Sequence, residues 1–196
     1  MDNAAIDYWD KVASKVVSLD GKSFQDNFAK RRLIIKELLE FDFTKKKVLE
    51  VGTGLGVVPA TIRLLYGELD YKGTDLSPHF AQAAQEMFGH EVTQADITKL
   101  PFEDNEFDVG FFFDILEHVP PNDRTRGYFE VDRVLKDKAV IFINNPLTQS
   151  LHDPNFDFSF SDEDIYNMAS ALGMTLTKIK MLECQDYYYQ FIAMSR

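Results

Sequence analysis

Apolar residues recur at helical spacing over roughly 4–19 and 24–41, which predicts two amphipathic helices at the start of the chain. The pattern then changes. "KVLEVG" is a short, almost unbroken apolar run, the pattern of a strand buried on both faces. "VVPATIRLLYG" returns to helical spacing and stops at Gly67. "LDYKGTDL" predicts a second strand. "SPHFAQAAQEMFG" predicts a helix capped by Ser77, with Pro78 in its first turn and Gly89 at its end. "EVTQADI" and "FDVGFFFDIL" predict a third and a fourth strand, followed by a helix over about 121–135. "KAVIFIN" is a fifth strand. "SDEDIYNMASALG" is a helix opened by a Ser161/Asp164 capping pair. The tail, "MTLTKIKML" and "YYYQFIAMS", reads as two strands of a hairpin.

Strands alternating with helices predict an α/β, doubly wound, largely parallel sheet covered on both faces. Without repeats or a long linker, residues 1–196 read as a single domain: 1–42 an N-terminal helical lid, 43–196 the core. In such sheets ligands bind at the carboxyl ends of the strands, where strand order reverses. The first strand belongs at that point.

Composition narrows the field. At 45% hydrophobic residues the chain can build a full core. No apolar run approaches the roughly 18 residues of a membrane span, and "MDNAAIDYWD" has no apolar signal core. With a single cysteine, Cys184, this points to a reducing, cytoplasmic setting. A net charge of −11 counts against a nucleic-acid substrate, because non-specific affinity for nucleic acid is mostly phosphate neutralisation. The basic runs at Lys30–Arg32 and Lys45–Lys47 read as solvated faces.

The candidate chemistry begins with Gly52, Gly54 and Gly56, a G-x-G-x-G run at the end of the first strand. A dinucleotide fingerprint needs its third glycine at 57, where the chain has Val57. Glu50 sits two residues ahead of the first glycine, where it repels a pyrophosphate and suits an ammonium or sulfonium. A nicotinamide oxidoreductase is disfavoured on both counts. Asp75 ends the second strand, placed to accept ribose hydroxyls. Asp96 ends the third, placed to accept from an adenine amino group, with Leu76 and Ile97 to flank the ring. The plain alternatives are helix caps or surface acids for the carboxylates, and a ligand-free turn for the loop.

"VLEVGTGLG", "GTDLS", "ADITKLPFEDNEFDVGFFFDILEHV" and "LKDKAVIFINNP" follow one another over about 46–146. On these stretches the chain resembles the class I S-adenosylmethionine-dependent methyltransferases, and the third is especially similar to their small-molecule, quinone-biosynthesis-like branch. The resemblance implies a Rossmann-like seven-stranded sheet of order 3-2-1-4-5-7-6 with the last strand antiparallel. It implies S-adenosyl-L-methionine as cofactor and S-adenosylhomocysteine as product. Glu50, Gly52 and Gly54 would then line the methionine end, with Thr53 in place of the family's small middle residue. Asp75 would hold the ribose, Asp96 and the Ile97 backbone would read the adenine, and Asp114–Ile115 would cover the methionine and face the acceptor. His118, in "LEHV", falls at a recurring family position. "NNP" at 144–146 is similar to the N-P-P-Y motif of amino-methylating nucleic-acid enzymes, but it follows strand five and lacks the second proline and the tyrosine.

Methyl transfer needs mainly an in-line arrangement, and a base only where the nucleophile must lose a proton. His118 is the first candidate base, with Asp114 and Glu117 behind it; its structural alternative is a brace for the loop before Pro120. Phe24, Phe28, Ile35, Leu38 and Leu39 share a helical face with Arg31 at its centre. Arg31 is therefore expected to grip the cofactor carboxylate, with Arg32 as substitute and a snorkelling arginine as the alternative. Tyr8, Trp9, His152 and Phe156, beside Phe158 and Phe160, are the candidate acceptor-binding residues. No metal is expected, since Asn144 and Asn145 are neutral where a magnesium site needs carboxylates. The expected function is methyl transfer to a small-molecule O or N acceptor. The alternatives are a protein methyltransferase, whose basic partner would suit the acidic surface, and an inactive cofactor-binding regulatory protein.

Overall fold

The first strand is apolar because it is central: β1 (Lys47–Val51) is buried at every position but its first. It runs parallel to β2 (Asp70–Asp75), which runs parallel to β3 (Glu91–Gln94). Further along, β4 (Phe107–Phe113) runs parallel to β5 (Leu135–Pro146). β7 (Tyr187–Ser195) is antiparallel to both β5 and β6 (Thr175–Cys184). The strand order is β3-β2-β1-β4-β5-β7-β6, as the family resemblance implies. This computed structural model describes residues 3–17, 31–147, 153, 155–184 and 187–196.

The chain forms two compact units, Met1–Asp96 and Ile97–Arg196. In the first, α1 (Asn3–Val17), α2 (31–38), α3 (Val57–Tyr66) and α4 (Pro78–Phe88) accompany the first three strands. Ser77 caps α4 by accepting from the Phe80 amide, and Gly67 and Gly89 end α3 and α4, as the sequence predicts. α1 packs through Ala13 on Phe80 and Ala83 of α4, and on Leu55 and Val57 behind the glycine run. Of the apolar face predicted around Arg31, Phe24 and Phe28 lie outside the described residues, and Ile35 and Leu38 are buried. Leu39 departs from the expectation: the helix stops at 38, so Leu39 enters a turn and is 48% exposed.

The second unit is built on phenylalanine. Phe107, Phe111, Phe112 and Phe113 of β4 are essentially inaccessible, and ring contacts run from Phe111 to Phe142 of β5 and on to Phe191 of β7. α5 (Pro121–Val134) begins with proline at its first turn, and α6 (Asp162–Ala171) has the full Ser161/Asp164 capping box. Three strand boundaries differ from the sequence pattern. β3 ends at Gln94, short of Asp96, which makes only an isolated bridge. β4 ends at Phe113, because Asp114 turns into the left-handed region at φ 53°. β5 starts at Leu135, ahead of the apolar run, paired with Phe107.

Candidate functional site

The glycine run is held by its neighbours rather than by its own ladder. The amides of Gly52 and Thr53 both donate to the Thr74 carbonyl, at 2.8 and 2.9 Å. The Gly54 amide donates to Asp75 Oδ2 at 2.8 Å, and the Ser77 amide to Oδ1 at 2.9 Å. His90 Nε2 lies 2.9 Å from the Gly56 carbonyl, and burial lowers its pKa, so a neutral ring donates there. Gly54 has φ 55°, with open space where a Cβ would point. A left-handed backbone with open space on its Cβ side leaves room for a close-lying ligand.

Glu50 is 3% exposed on β1, directly across from Gly73 of β2. Its Oε2 accepts from the Tyr71 hydroxyl at 2.7 Å, and Tyr71 Oη is 3.0 Å from Thr53 Oγ1. Burial pushes the Glu50 pKa up to about 8, against the lowering effects of the Tyr71 hydrogen bond and the Arg31 charge; Asp75 adds a further upward push. Burial also raises Asp75, to about 6, although the Gly54 and Ser77 amides favour its ionised form. A carboxylate has about four acceptor sites, and the Gly54, Ser77 and Leu76 amides act on Asp75, which leaves it capacity for a ribose hydroxyl. Asp96 lies two residues past the end of β3, and the Ala95 amide ties that exit to the Asp75 carbonyl at 2.9 Å. The three predicted acids therefore stand at the ends of three neighbouring strands. Arg31, partly buried at the first described turn of α2, acts electrostatically on Glu50. Arg32 is exposed. Leu76 is half-buried, and its carbonyl accepts from Gln94 at 3.2 Å.

In the second unit, Asp114 follows β4 with its amide on the Asn144 carbonyl and its carboxylate accepting from the Asn144 side chain. Ile115 leads into a short turn of 3₁₀ helix, Leu116–His118. His118 Nδ1 is 2.7 Å from Asp157 Oδ1 and 3.1 Å from the Phe156 carbonyl, while Nε2 lies 3.7 Å from Glu117 Oε1. Burial alone would lower the histidine pKa; the hydrogen bond to Asp157 and the charges of Glu117 and Asp157 outweigh it and hold the pKa above the usual value. Asp157 is itself fixed: its Oδ2 accepts from the Asp153 amide at 3.0 Å, and its own amide donates to the Asp153 carbonyl at 2.8 Å. Arg124, 6% exposed, locks the same segment through the Ser159 carbonyl, Asp164 and the Val119 carbonyl, and lies over the Phe160 ring.

Tyr8 and Trp9 sit edge to face on α1, both partly buried. Phe156 is partly buried beside His118, and His152 lies outside the described residues. Phe160 is buried core rather than an exposed aromatic. The Ile97 side chain is buried against Gly127 of α5. Sequence reasoning missed Tyr71, Asp157 and Asp10. Asp10 receives the Ser77 hydroxyl and pairs with His79 at 3.1 Å, fastening α1 to the start of α4. Only Tyr71, two residues ahead of a glycine on the neighbouring strand, carries a readable signal.

Residues 49–143 match a methyltransferase domain family. The chain is 36% identical over 118 residues to a sterol methyltransferase-like protein of Botryococcus braunii, covering 57% of this chain and 28% of that one. It is 30% identical over 119 residues to a ubiquinone/menaquinone biosynthesis C-methyltransferase of Desulfotalea psychrophila, covering 58% of this chain and 48% of that one. The chain thus spans less than half the length of both relatives. Its fold superposes on magnesium protoporphyrin IX methyltransferase from Synechocystis PCC 6803, solved with bound S-adenosylhomocysteine, with TM-score 0.79, 14% identity and 98% of each chain covered. Residues 49–143 thus carry a methyltransferase domain, and the fold is the one shared with class I methyltransferases. The glycine run, Glu50 and Asp75 fit that family's cofactor, S-adenosyl-L-methionine.

Proposed function

We propose that this domain transfers a methyl group to a small-molecule acceptor, and that the acceptor atom is a hydroxyl oxygen. The observation behind the second part is the 2.7 Å contact between His118 Nδ1 and Asp157. A carboxylate on Nδ1 fixes the tautomer and turns Nε2 into the acceptor, the arrangement of a general base. A hydroxyl must lose a proton as it attacks; an amine that is already neutral need not.

Bound S-adenosyl-L-methionine supplies an electrophilic methyl on a sulfonium leaving group. Asp75 would hold the ribose, Asp96 and the Ile97 backbone the adenine, Glu50 the ammonium, and Arg31 the carboxylate. An acceptor oxygen held in line would form the new bond to carbon as the carbon–sulfur bond breaks, with sulfur keeping the electron pair. His118 Nε2 takes the hydroxyl proton, and Asp157 and Glu117 stabilise the imidazolium. Asp114 and Ile115 would border the methionine, and Tyr8, Trp9 and Phe156 remain the residues proposed for the acceptor. Sterol, quinone and porphyrin enzymes among the relatives support a small, largely apolar acceptor.

The test is product formation from S-adenosylmethionine on a panel of phenols, alcohols, amines and basic peptides. Phenols or alcohols are expected to turn over, with a rate that rises as pH passes the raised His118 pKa. Asp157→Asn should move that limb to lower pH and cost 10²-fold or more in kcat. Turnover of amines alone, or a limb that Asp157→Asn leaves in place, contradicts the hydroxyl reading. Turnover of peptides alone favours the protein-methyltransferase alternative.

A further inference from the structure

Glu50 can serve a cationic ligand only if it ionises, and burial opposes that. Three buried side chains bear on the problem. Tyr71 reaches from β2 across Gly73 and donates its single proton to Glu50 Oε2. Its oxygen must then accept, so the 3.0 Å contact with Thr53 runs from the threonine hydroxyl to the tyrosine. The hydrogen bonds form a directed chain, Thr53 to Tyr71 to Glu50. The chain needs a glycine at 73: a Cβ there would lie 2.3 Å from Thr53 Oγ1 and 2.7 Å from Tyr71 Oη. The Tyr71 ring is in turn flanked by His90, the residue that holds the Gly56 carbonyl.

We propose that Tyr71, backed by Thr53, is a positioning residue for the cofactor: its hydrogen bond holds Glu50 ionisable and turned toward the ammonium of the methionine moiety. This inference rests on the cofactor placement given under the proposed function. The charged groups acting on Glu50 are Arg31 from α2, which favours ionisation, and Asp75 from β2, which opposes it. Removing the tyrosine hydroxyl deprives a buried carboxylate of a charge-assisted hydrogen bond, an interaction large enough for a change of about tenfold or more.

The test is calorimetric titration of Tyr71→Phe and Thr53→Val with two ligands across pH 6 to 9. S-adenosylmethionine carries the ammonium; 5′-methylthioadenosine has the same adenosine without it. Tyr71→Phe is expected to weaken S-adenosylmethionine about tenfold at pH 7 and to move the pH midpoint of its binding upward. 5′-Methylthioadenosine affinity should stay unchanged. Thr53→Val should shift both observables the same way by less. Equal losses for both ligands, or an unmoved ratio and midpoint, overturn the inference while leaving the cofactor placement standing. Failure of the unmodified protein to bind either ligand removes the placement and the inference together.

Discussion

Replacing Glu50 by glutamine separates what the fold prefers from what the ligand requires. The side chains are isosteric, and the glutamine carbonyl can still accept from Tyr71. Glu50 titrates at about 8 in the native protein, against 4.5 for an ordinary glutamate. Below pH 4.5 both native and unfolded states are protonated, and Glu50 stabilises the fold as a neutral acid. As pH rises the unfolded chain ionises first, and that stability is lost until the native group ionises near 8. At about 1.4 kcal/mol per pH unit, the loss is at most roughly 3 kcal/mol at pH 7 and roughly 5 at pH 8. Glutamine does not titrate, so Glu50→Gln should gain that stability progressively. At about 2–4 °C per kcal/mol, the unliganded variant should melt up to roughly 10 °C higher at pH 7 and close to wild type near pH 4.5. The same variant should bind S-adenosylmethionine more weakly. Urea unfolding at pH 5 and 8, with ligand titration alongside, checks both halves. A stability difference that does not change with pH, or a variant destabilised equally at both values, refutes the reasoning.

Arg124→Ala leaves the Ser159 carbonyl and Asp164 without their buried cation and should cost about 3–5 kcal/mol in chemical denaturation. At temperatures where the variant stays folded, it should raise the acceptor KM and leave S-adenosylmethionine affinity near wild type, because the loosened segment carries Asp157 and Phe156. Gly73→Ala drives a methyl into the Thr53 and Tyr71 hydroxyls and should cost about 1–3 kcal/mol. It should also weaken S-adenosylmethionine in the same titration.

The sheet was legible because each strand is a local event. β1 shows as an apolar run, β2 as a run ending in Asp75, and α4 and α6 announce themselves by Ser77 and Ser161. Glu50 and Asp75 were legible because their places follow from chain position alone, at strand tips beside glycines. Asp157 was not. It reaches His118 across 39 residues, through a turn closed by Asp153, and no spacing rule connects the two. Arg124 was hidden for the same reason: it sits on a helix of mixed polarity, and its partners on the segment after β5 are chosen by tertiary packing. Leu39 was misplaced because periodicity continues past the point where the helix stops. Tyr71 was read only as strand content, since its hydroxyl partner lies on another strand.

The central claim is that carboxylates at the tips of β1 and β2 hold a cationic adenosyl ligand, and calorimetry with S-adenosylmethionine and NAD at pH 5.5 and pH 8 tests it most directly. Glu50 titrates at about 8 and Asp75 at about 6, so both become more anionic across that interval. S-adenosylmethionine should therefore bind more tightly at pH 8, and NAD weakly at either value. S-adenosylmethionine binding that is flat or falls with pH, or tight binding of NAD, would contradict the account.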